Sequence, residues 1–306
     1  MKIFITDGVH KICASILENA NFELVQKPTL SKEELIEEIK NYDGIIVRSA
    51  TKLDKEVLES SKNLKIIGRA GAGLDNIDLN KAAELGIKVV NSPEPLSIAV
   101  AEFTIGVMIS LMRHISKGDN ACHSGDWNKQ DCIGNTLYGK KLGIVGFGRI
   151  GKEVASRALS FKMTVGVFDI LETEIKQAKS MGLKIFESIE NLIKESDIVS
   201  LHVPYTEKNY QLIDKSKLDF FDENKILINT ARGKLIDEPA LIQKLKNREI
   251  KGAALDVFYE EPLMNSELSE LNNVILTPHI ASQAKETQIE GAKIIANKFM
   301  EFFNKK

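Results

Sequence analysis

The chain has 306 residues, 43% hydrophobic and 27% charged, which is enough for about two globular domains with ordinary cores. A formal charge of −2 and the absence of a basic stripe give no sign of a nucleic-acid partner, and no apolar stretch approaches a membrane span. Three cysteines without a C-x-x-C and five histidines without ligand spacing offer no disulfide framework and no metal site, and fit a reducing cytoplasm.

The chain begins with a strand-like run, Met1 to Asp7, that lacks the basic region, long apolar stretch and cleavage site of a secretory signal. Strands are then expected at Lys2 to Ile5, Phe22 to Val25, Gly44 to Val47, Lys65 to Ile67 and Lys88 to Val90. Helical patterns fall between them at His10 to Asn19, Ser31 to Lys40, Asp54 to Ser60 and Asp78 to Leu85. This alternation predicts a small doubly wound domain of about five strands. Ser92-Pro93-Glu94-Pro95 should stop regular structure, and a long apolar helix is expected from Ile98 through Ile115.

A second α/β domain follows. Its strands are expected at Leu142 to Val145, Thr164 to Phe168, Lys184 to Phe186, Ile198 to Leu201, Ile226 to Asn229, Gly252 to Leu255 and Val274 to Leu276. Between the first two lies Gly146-Phe147-Gly148-Arg149-Ile150-Gly151, a G-x-G-x-x-G that opens a helix from Arg149 to Phe161. The pattern alone is weak, but here it sits inside a strand–helix–strand unit that ends in Asp169. In such a unit the first glycine permits a tight turn, the second lets backbone approach a pyrophosphate, and the third lets helix pack on strand. The helix N-terminus offers unsatisfied N–H groups to phosphate. Asp169 would accept both adenosine ribose hydroxyls and repel a 2′-phosphate, which favours NAD over NADP. The terminal stretch Gln283 to Phe303 is amphipathic and helical, and is expected to return to the first domain.

Three residues near the end form a chemical set: Arg232 in N-T-A-R-G, Glu261 in D-V-F-Y-E-E-P and His279 in T-P-H-I-A-S. A guanidinium can clamp a carboxylate through two parallel hydrogen bonds. An imidazole can pass a proton to a carbonyl oxygen or take one from an alcohol, and a carboxylate beside it favours its charged form. Taken singly, each could be a turn arginine, a solvated acid or a histidine at a strand end. Together, after successive strands of one sheet, they fit reduction of a 2-oxo acid or oxidation of the matching alcohol, with NAD as hydride carrier.

With these motifs the chain resembles the D-isomer-specific 2-hydroxyacid dehydrogenases, and among them most closely the D-3-phosphoglycerate dehydrogenases of serine biosynthesis. The resemblance runs through V-R-S-A-T-K (Val47 to Lys52), G-R-A-G-A-G-L-D-N-I-D (Gly68 to Asp78) and A-V-A-E-F-T-I-G (Ala99 to Gly106). It continues through the glycine loop, S-L-H-V-P (Ser200 to Pro204) and the three segments above. It implies two doubly wound parallel-sheet domains. A central NAD-binding Rossmann domain (96–282) is flanked by a flavodoxin-like substrate domain made of both chain ends (1–95 and 283–306).

The resemblance also implies roles. Arg232, Glu261 and His279 are the catalytic residues, and Arg232 and His279 also bind substrate. Arg48 and Ser49 form a substrate loop, with the backbone of Ala70, Gly71, Ala72 and Gly73 as an anion nest. His202, Thr230, Ala231 and Asp256 join Gly146, Gly148, Arg149, Ile150, Gly151 and Asp169 around NAD. Relatives often carry Thr or Val where Ala72 stands, and Gly where Ala281 stands. A homodimer through the NAD domain is implied, and no membrane partner. The chain ends after the last helix, so feedback through a C-terminal regulatory domain is not expected. Glyoxylate or hydroxypyruvate reduction is the alternative activity, and an NAD-sensing, corepressor-like scaffold the alternative outside catalysis.

Overall fold

The computed structural model describes residues 1–304, which divide into two compact units, Met1–Leu96 with the segment from Gln283, and Ser97–Ser282. The first unit holds strands β1 (Lys2–Ile5), β2 (Glu23–Gln26), β3 (Gly44–Val47), β4 (Ile66–Arg69) and β5 (Lys88–Asn91). Helices α1 (Ile12–Asn19), α2 (Lys32–Glu38), α3 (Lys55–Ser60) and α4 (Leu79–Glu84) connect them. All strand pairs are parallel, in the order β2-β1-β3-β4-β5.

A parallel sheet covered on both faces needs strands that are apolar on both sides, and β3 (Gly-Ile-Ile-Val) buries all four of its residues. Helix starts are set by short polar caps. Ser31 and Glu34 form a reciprocal capping box, and Asp54 and Asp78 accept the amides of Val57 and Lys81. The terminal helix, Lys285–Asn304, packs on this sheet through Ile295, Ala296 and Phe299. Phe299 lies over Gly44 and Gly68; a Cβ at Gly68 would come within 2.6 Å of its ring. These two strand glycines therefore make room for the helix.

The prolines do not stop regular structure as expected. Helix α5 (Glu94–Arg113) begins between them, with Pro95 in its first turn, where a missing N–H breaks no helical hydrogen bond. Helix α5 also corrects the expectation about apolar stretches, since by length and composition it could cross a membrane. Its buried Ala101, Ile105, Met108 and Met112 instead form part of a protein core. His114, at a left-handed φ of 55°, ends it, and a further helix not foreseen from sequence, α6 (Ile115–His123), follows.

The second unit has strands β6 (Lys141–Val145), β7 (Thr164–Phe168), β8 (Lys184–Ile185), β9 (Ile198–Leu201), β10 (Ile226–Asn229), β11 (Gly252–Leu255) and β12 (Val274–Leu276). Its helices are α7 (Arg149–Ser160), α8 (Glu172–Ser180), α9 (Ile189–Glu195), α10 (Lys215–Leu218) and α11 (Glu238–Lys246). The sheet is all parallel, in the order β12-β11-β10-β9-β6-β7-β8. Alternate strand residues feed two cores, Ile144, Ile198 and Ile228 on one face and Val145, Val199 and Leu227 on the other. The chain leaves β6 in both directions, which puts a topological switch point between β6 and β9. In the first unit the corresponding point lies between β1 and β3. Ligands of open α/β sheets bind beyond the carboxyl ends of the strands at such points.

Candidate active site

At the β6/β9 switch point the glycine loop is shaped residue by residue. Gly146 has a φ of +95°, and a Cβ there would lie 2.6 Å from the His202 carbonyl oxygen. Only glycine fits on both counts. A Cβ on Gly151 would come within 2.2 Å of the Gly146 oxygen, so this residue sets how closely α7 approaches the loop. Gly148 faces open space and begins α7 with no side-chain cap. That open space at the uncapped start of a 12-residue helix suits a pyrophosphate. Asp169, at the end of β7, accepts Phe147 N at 2.6 Å and Leu171 N at 2.8 Å, one with each oxygen. It thus braces the loop, with a further lone pair on each oxygen for ribose hydroxyls.

His202 follows β9, with its Nε2 2.9 Å from Ser200 Oγ, and burial pushes its imidazole down to about 3. It is therefore neutral at physiological pH. Thr230 is buried, and its hydroxyl lies 3.2 Å from that of Thr104 on α5. The Ala231 amide donates to Asn229 Oδ1 at 3.0 Å, while Asn229 Nδ2 donates to the Arg232 carbonyl at 2.9 Å. Asn229 is fully buried and closes the turn that carries Arg232, a part its place at a strand end did not reveal.

Arg232, Glu261 and His279 follow β10, β11 and β12, at the carboxyl edge of one sheet. His279 Nδ1 is 2.7 Å from Glu261 Oε2, and Glu261 Oε1 accepts the Phe258 amide at 3.2 Å. Partial burial pushes the Glu261 carboxyl up. The hydrogen bond and charge of His279, the Phe258 amide and the Arg232 charge together outweigh it, and the carboxyl sits below its ordinary range. The segments meet closely because of Gly233, where a Cβ would fall 1.9 Å from the Phe258 carbonyl.

Asp256, placed around NAD by the resemblance, has both of its carboxylate oxygens engaged by the protein. It is 1% exposed, and its two oxygens accept Thr277 Oγ1 at 2.6 Å, Ile280 N at 2.8 Å and Ala281 N at 2.8 Å. These donors bracket His279, whose φ of 54° is a left-handed conformation that a side chain other than glycine rarely adopts. Ala281 leaves this bracket intact, since the contact is made by its amide.

In the first unit Arg48 and Ser49 follow β3 at the switch point, with Ser49 exposed. Arg48 Nη2 donates to Gln283 Oε1 at 3.1 Å, a partner not foreseen. The expected nest from Ala70 to Gly73 is narrower than anticipated. The Ala70 amide continues the sheet to the Val47 oxygen and the Gly71 amide turns back onto the Arg69 oxygen, so both are consumed. No residue from Ala70 to Gly73 has the positive φ that an alternating nest requires. The amides of Ala72 and Gly73 are the ones left for an anion among the described residues.

Fold and glycine loop define a dinucleotide-binding α/β protein that bears a cation, an acid and an imidazole on one sheet edge. Residues 105–281 match the D-isomer specific 2-hydroxyacid dehydrogenase, NAD binding domain, family. Over 97% of this chain, a D-3-phosphoglycerate dehydrogenase of Methanocaldococcus jannaschii is 43% identical, and this chain spans about half, 56%, of that protein's length. A hydroxypyruvate reductase of Thermotoga maritima is 40% identical over 94% of this chain and 93% of its own. The crystal structure of a glyoxylate reductase from Paecilomyes thermophila superposes with a TM-score of 0.89 at 29% identity, covering 99% of this chain and 95% of the other. The chain belongs to the D-isomer specific 2-hydroxyacid dehydrogenases, and its second unit contains the family's NAD-binding domain.

Proposed function

We propose that this protein oxidises D-3-phosphoglycerate to 3-phosphohydroxypyruvate with NAD, using Arg232, Glu261 and His279 as its catalytic residues. The observation that carries the reading is the 2.7 Å contact of His279 Nδ1 with Glu261 Oε2 at the carboxyl edge of the NAD-domain sheet. With Nδ1 engaged, Nε2 is the ring nitrogen left to take the substrate hydroxyl proton in oxidation or give it back in reduction. When bound, NAD supplies the acceptor for the hydride leaving C2. The ionised Glu261 favours the imidazolium that forms as the proton arrives. Arg232 clamps the substrate carboxylate, with its backbone held by Asn229.

Arg48, Ser49 and the amides of Ala72 and Gly73 supply further contacts to the acid. The cationic wording of V-R-S-A-T-K and G-R-A-G, with Arg48, Lys52 and Arg69, favours a phosphorylated substrate. Relatives at 40% and 37% identity are a hydroxypyruvate reductase and a glyoxylate reductase, and reduction of those oxo acids is the second reading. The complete trio favours an enzyme over an NAD-sensing scaffold. Asp169 favours NAD, and a cytoplasmic homodimer through the NAD unit completes the proposal.

A panel of D-3-phosphoglycerate, D-lactate, hydroxypyruvate and glyoxylate with NAD(H) and NADP(H) tests it. The expected result is highest kcat/KM for phosphoglycerate with NAD. Turnover confined to glyoxylate or hydroxypyruvate would install the second reading, and no turnover of any acid would reject catalysis.

A further inference from the structure

Between β1 and β3 of the first unit, two polar residues remote in sequence grip the same four-residue loop. Asp7 follows β1 at a left-handed φ of 60°. Its Oδ2 accepts the amides of Arg48 and Thr51, each at 2.9 Å, and its Oδ1 accepts Thr51 Oγ1 at 2.6 Å and Thr29 Oγ1 at 2.9 Å. From the other side Asn76 Nδ2 donates to the carbonyls of the same two residues, Arg48 at 2.8 Å and Thr51 at 2.7 Å. Asn76 is itself anchored, since its carbonyl accepts the Leu53 amide at 2.7 Å.

Both ends of the loop thus have donor and acceptor satisfied, one by a carboxylate and one by an amide. The tip is left out. Among the described residues the amides of Ser49 and Ala50 have no partner, and both residues are exposed. A loop held at both ends with two free N–H groups and an arginine at its start is arranged to receive an anion. An unsupported four-residue loop would lose that order to conformational entropy, at a cost repeated each time ligand binds.

We propose that Asp7 and Asn76 are positioning residues that pre-order the Arg48–Thr51 loop for the anionic group of the substrate, so that they act on substrate affinity through the loop without touching substrate. The proposal rests on the reading of Arg48 and Ser49 as substrate contacts.

The experiment is steady-state reduction of 3-phosphohydroxypyruvate and of glyoxylate by NADH, with the full chain and the variants Asp7→Gly, Asn76→Ala and Arg48→Met. Glycine tolerates the left-handed backbone at position 7, which alanine would strain. It also removes both carboxylate oxygens, whereas an asparagine could still accept both amides with its one oxygen. Loss of the hydrogen bonds that order the loop should raise KM for the acid about tenfold in Asp7→Gly and in Asn76→Ala, with kcat changed less than about threefold. NADH affinity, read by fluorescence titration, should stay at the wild-type value.

A raised KM in Arg48→Met with wild-type KM in both other variants would overturn the proposal alone. An unchanged KM in Arg48→Met would overturn the reading beneath it. Hydrogen exchange of the wild-type chain gives an answer that needs no variant. The amides of Arg48 and Thr51 should be protected and those of Ser49 and Ala50 should exchange freely, and equal exchange at all four would also overturn the proposal.

Discussion

His279 Nδ1 lies 2.7 Å from Glu261 Oε2, although the two side chains come from loops after different strands, β12 and β11. The carboxyl is held below its ordinary range. Glu261 therefore stays ionised through neutral and mildly acid pH, and its ion pair with a protonated His279 is lost only as pH falls through that lowered value. In Glu261→Gln the support for a charged imidazole disappears. Reduction should then lose kcat, because the ring that hands over the proton no longer has an ionised partner at Nδ1. A pH–rate profile of NADH oxidation checks this; superimposable profiles would remove Glu261 from the relay.

Asp256 is a buried acid with three donors aimed at it. Asp256→Asn keeps the shape but in either orientation turns its amide NH₂ towards one backbone N–H, that of Ile280 or that of Ala281. It should lower stability by about 1–3 kcal/mol and reduce kcat, because the turn carrying His279 loses its bracket. Chemical denaturation and steady-state kinetics on one preparation measure both, and wild-type kcat in the variant would show that the bracket does not govern the turn carrying His279.

Gly233 has no room for a side chain, since a Cβ would meet the Phe258 carbonyl at 1.9 Å. Gly233→Ala must push apart the segments bearing Arg232 and Glu261. The expected loss is about 1–3 kcal/mol of stability together with kcat, read by urea titration and turnover. An unchanged unfolding midpoint would show that the approach is looser than described.

His202 predicts a stability that depends on pH. Its folded imidazole is held near 3 by burial, against an ordinary value near 6.5. Above 6.5 both folded and unfolded forms are neutral and no penalty applies. As pH falls from 6.5 towards 3 the unfolded chain takes up a proton that the folded chain refuses, so stability drops by at most about 1.4 kcal/mol per pH unit. Thermal melts of wild type and His202→Gln between pH 7 and 5 should converge as pH is lowered, and parallel curves would contradict the assignment.

Much of this was legible in the sequence, for a physical reason. Parallel strands buried on both faces read as short apolar runs, and β7, β9, β10, β11 and β12 fall where those runs lie. Helix α8 buries only Ala178 and has no apolar stripe to betray it. Pro93 and Pro95 misled because the first turn of a helix tolerates proline. The segments of Arg232, Glu261 and His279 could be picked out by residue type, but their supports could not. Asp256 reaches donors 21 to 25 residues away, and Asp7 grips a loop 41 to 44 residues on. Such pairs form only when strands distant in the chain become neighbours. The consumed amides of Ala70, Gly71 and Ala231 were hidden for a different reason, since a backbone N–H that finds a partner leaves no mark on residue type.

On the proposed relay His279 moves the proton while NAD binds independently of it. Stopped-flow reduction of a 2-oxo acid by enzyme-bound NADH in His279→Ala separates the two roles. The hydride-transfer rate should fall at least about a hundredfold, with NADH affinity within a factor of about three of wild type. A rate close to wild type in that variant would rule out His279 as the proton carrier.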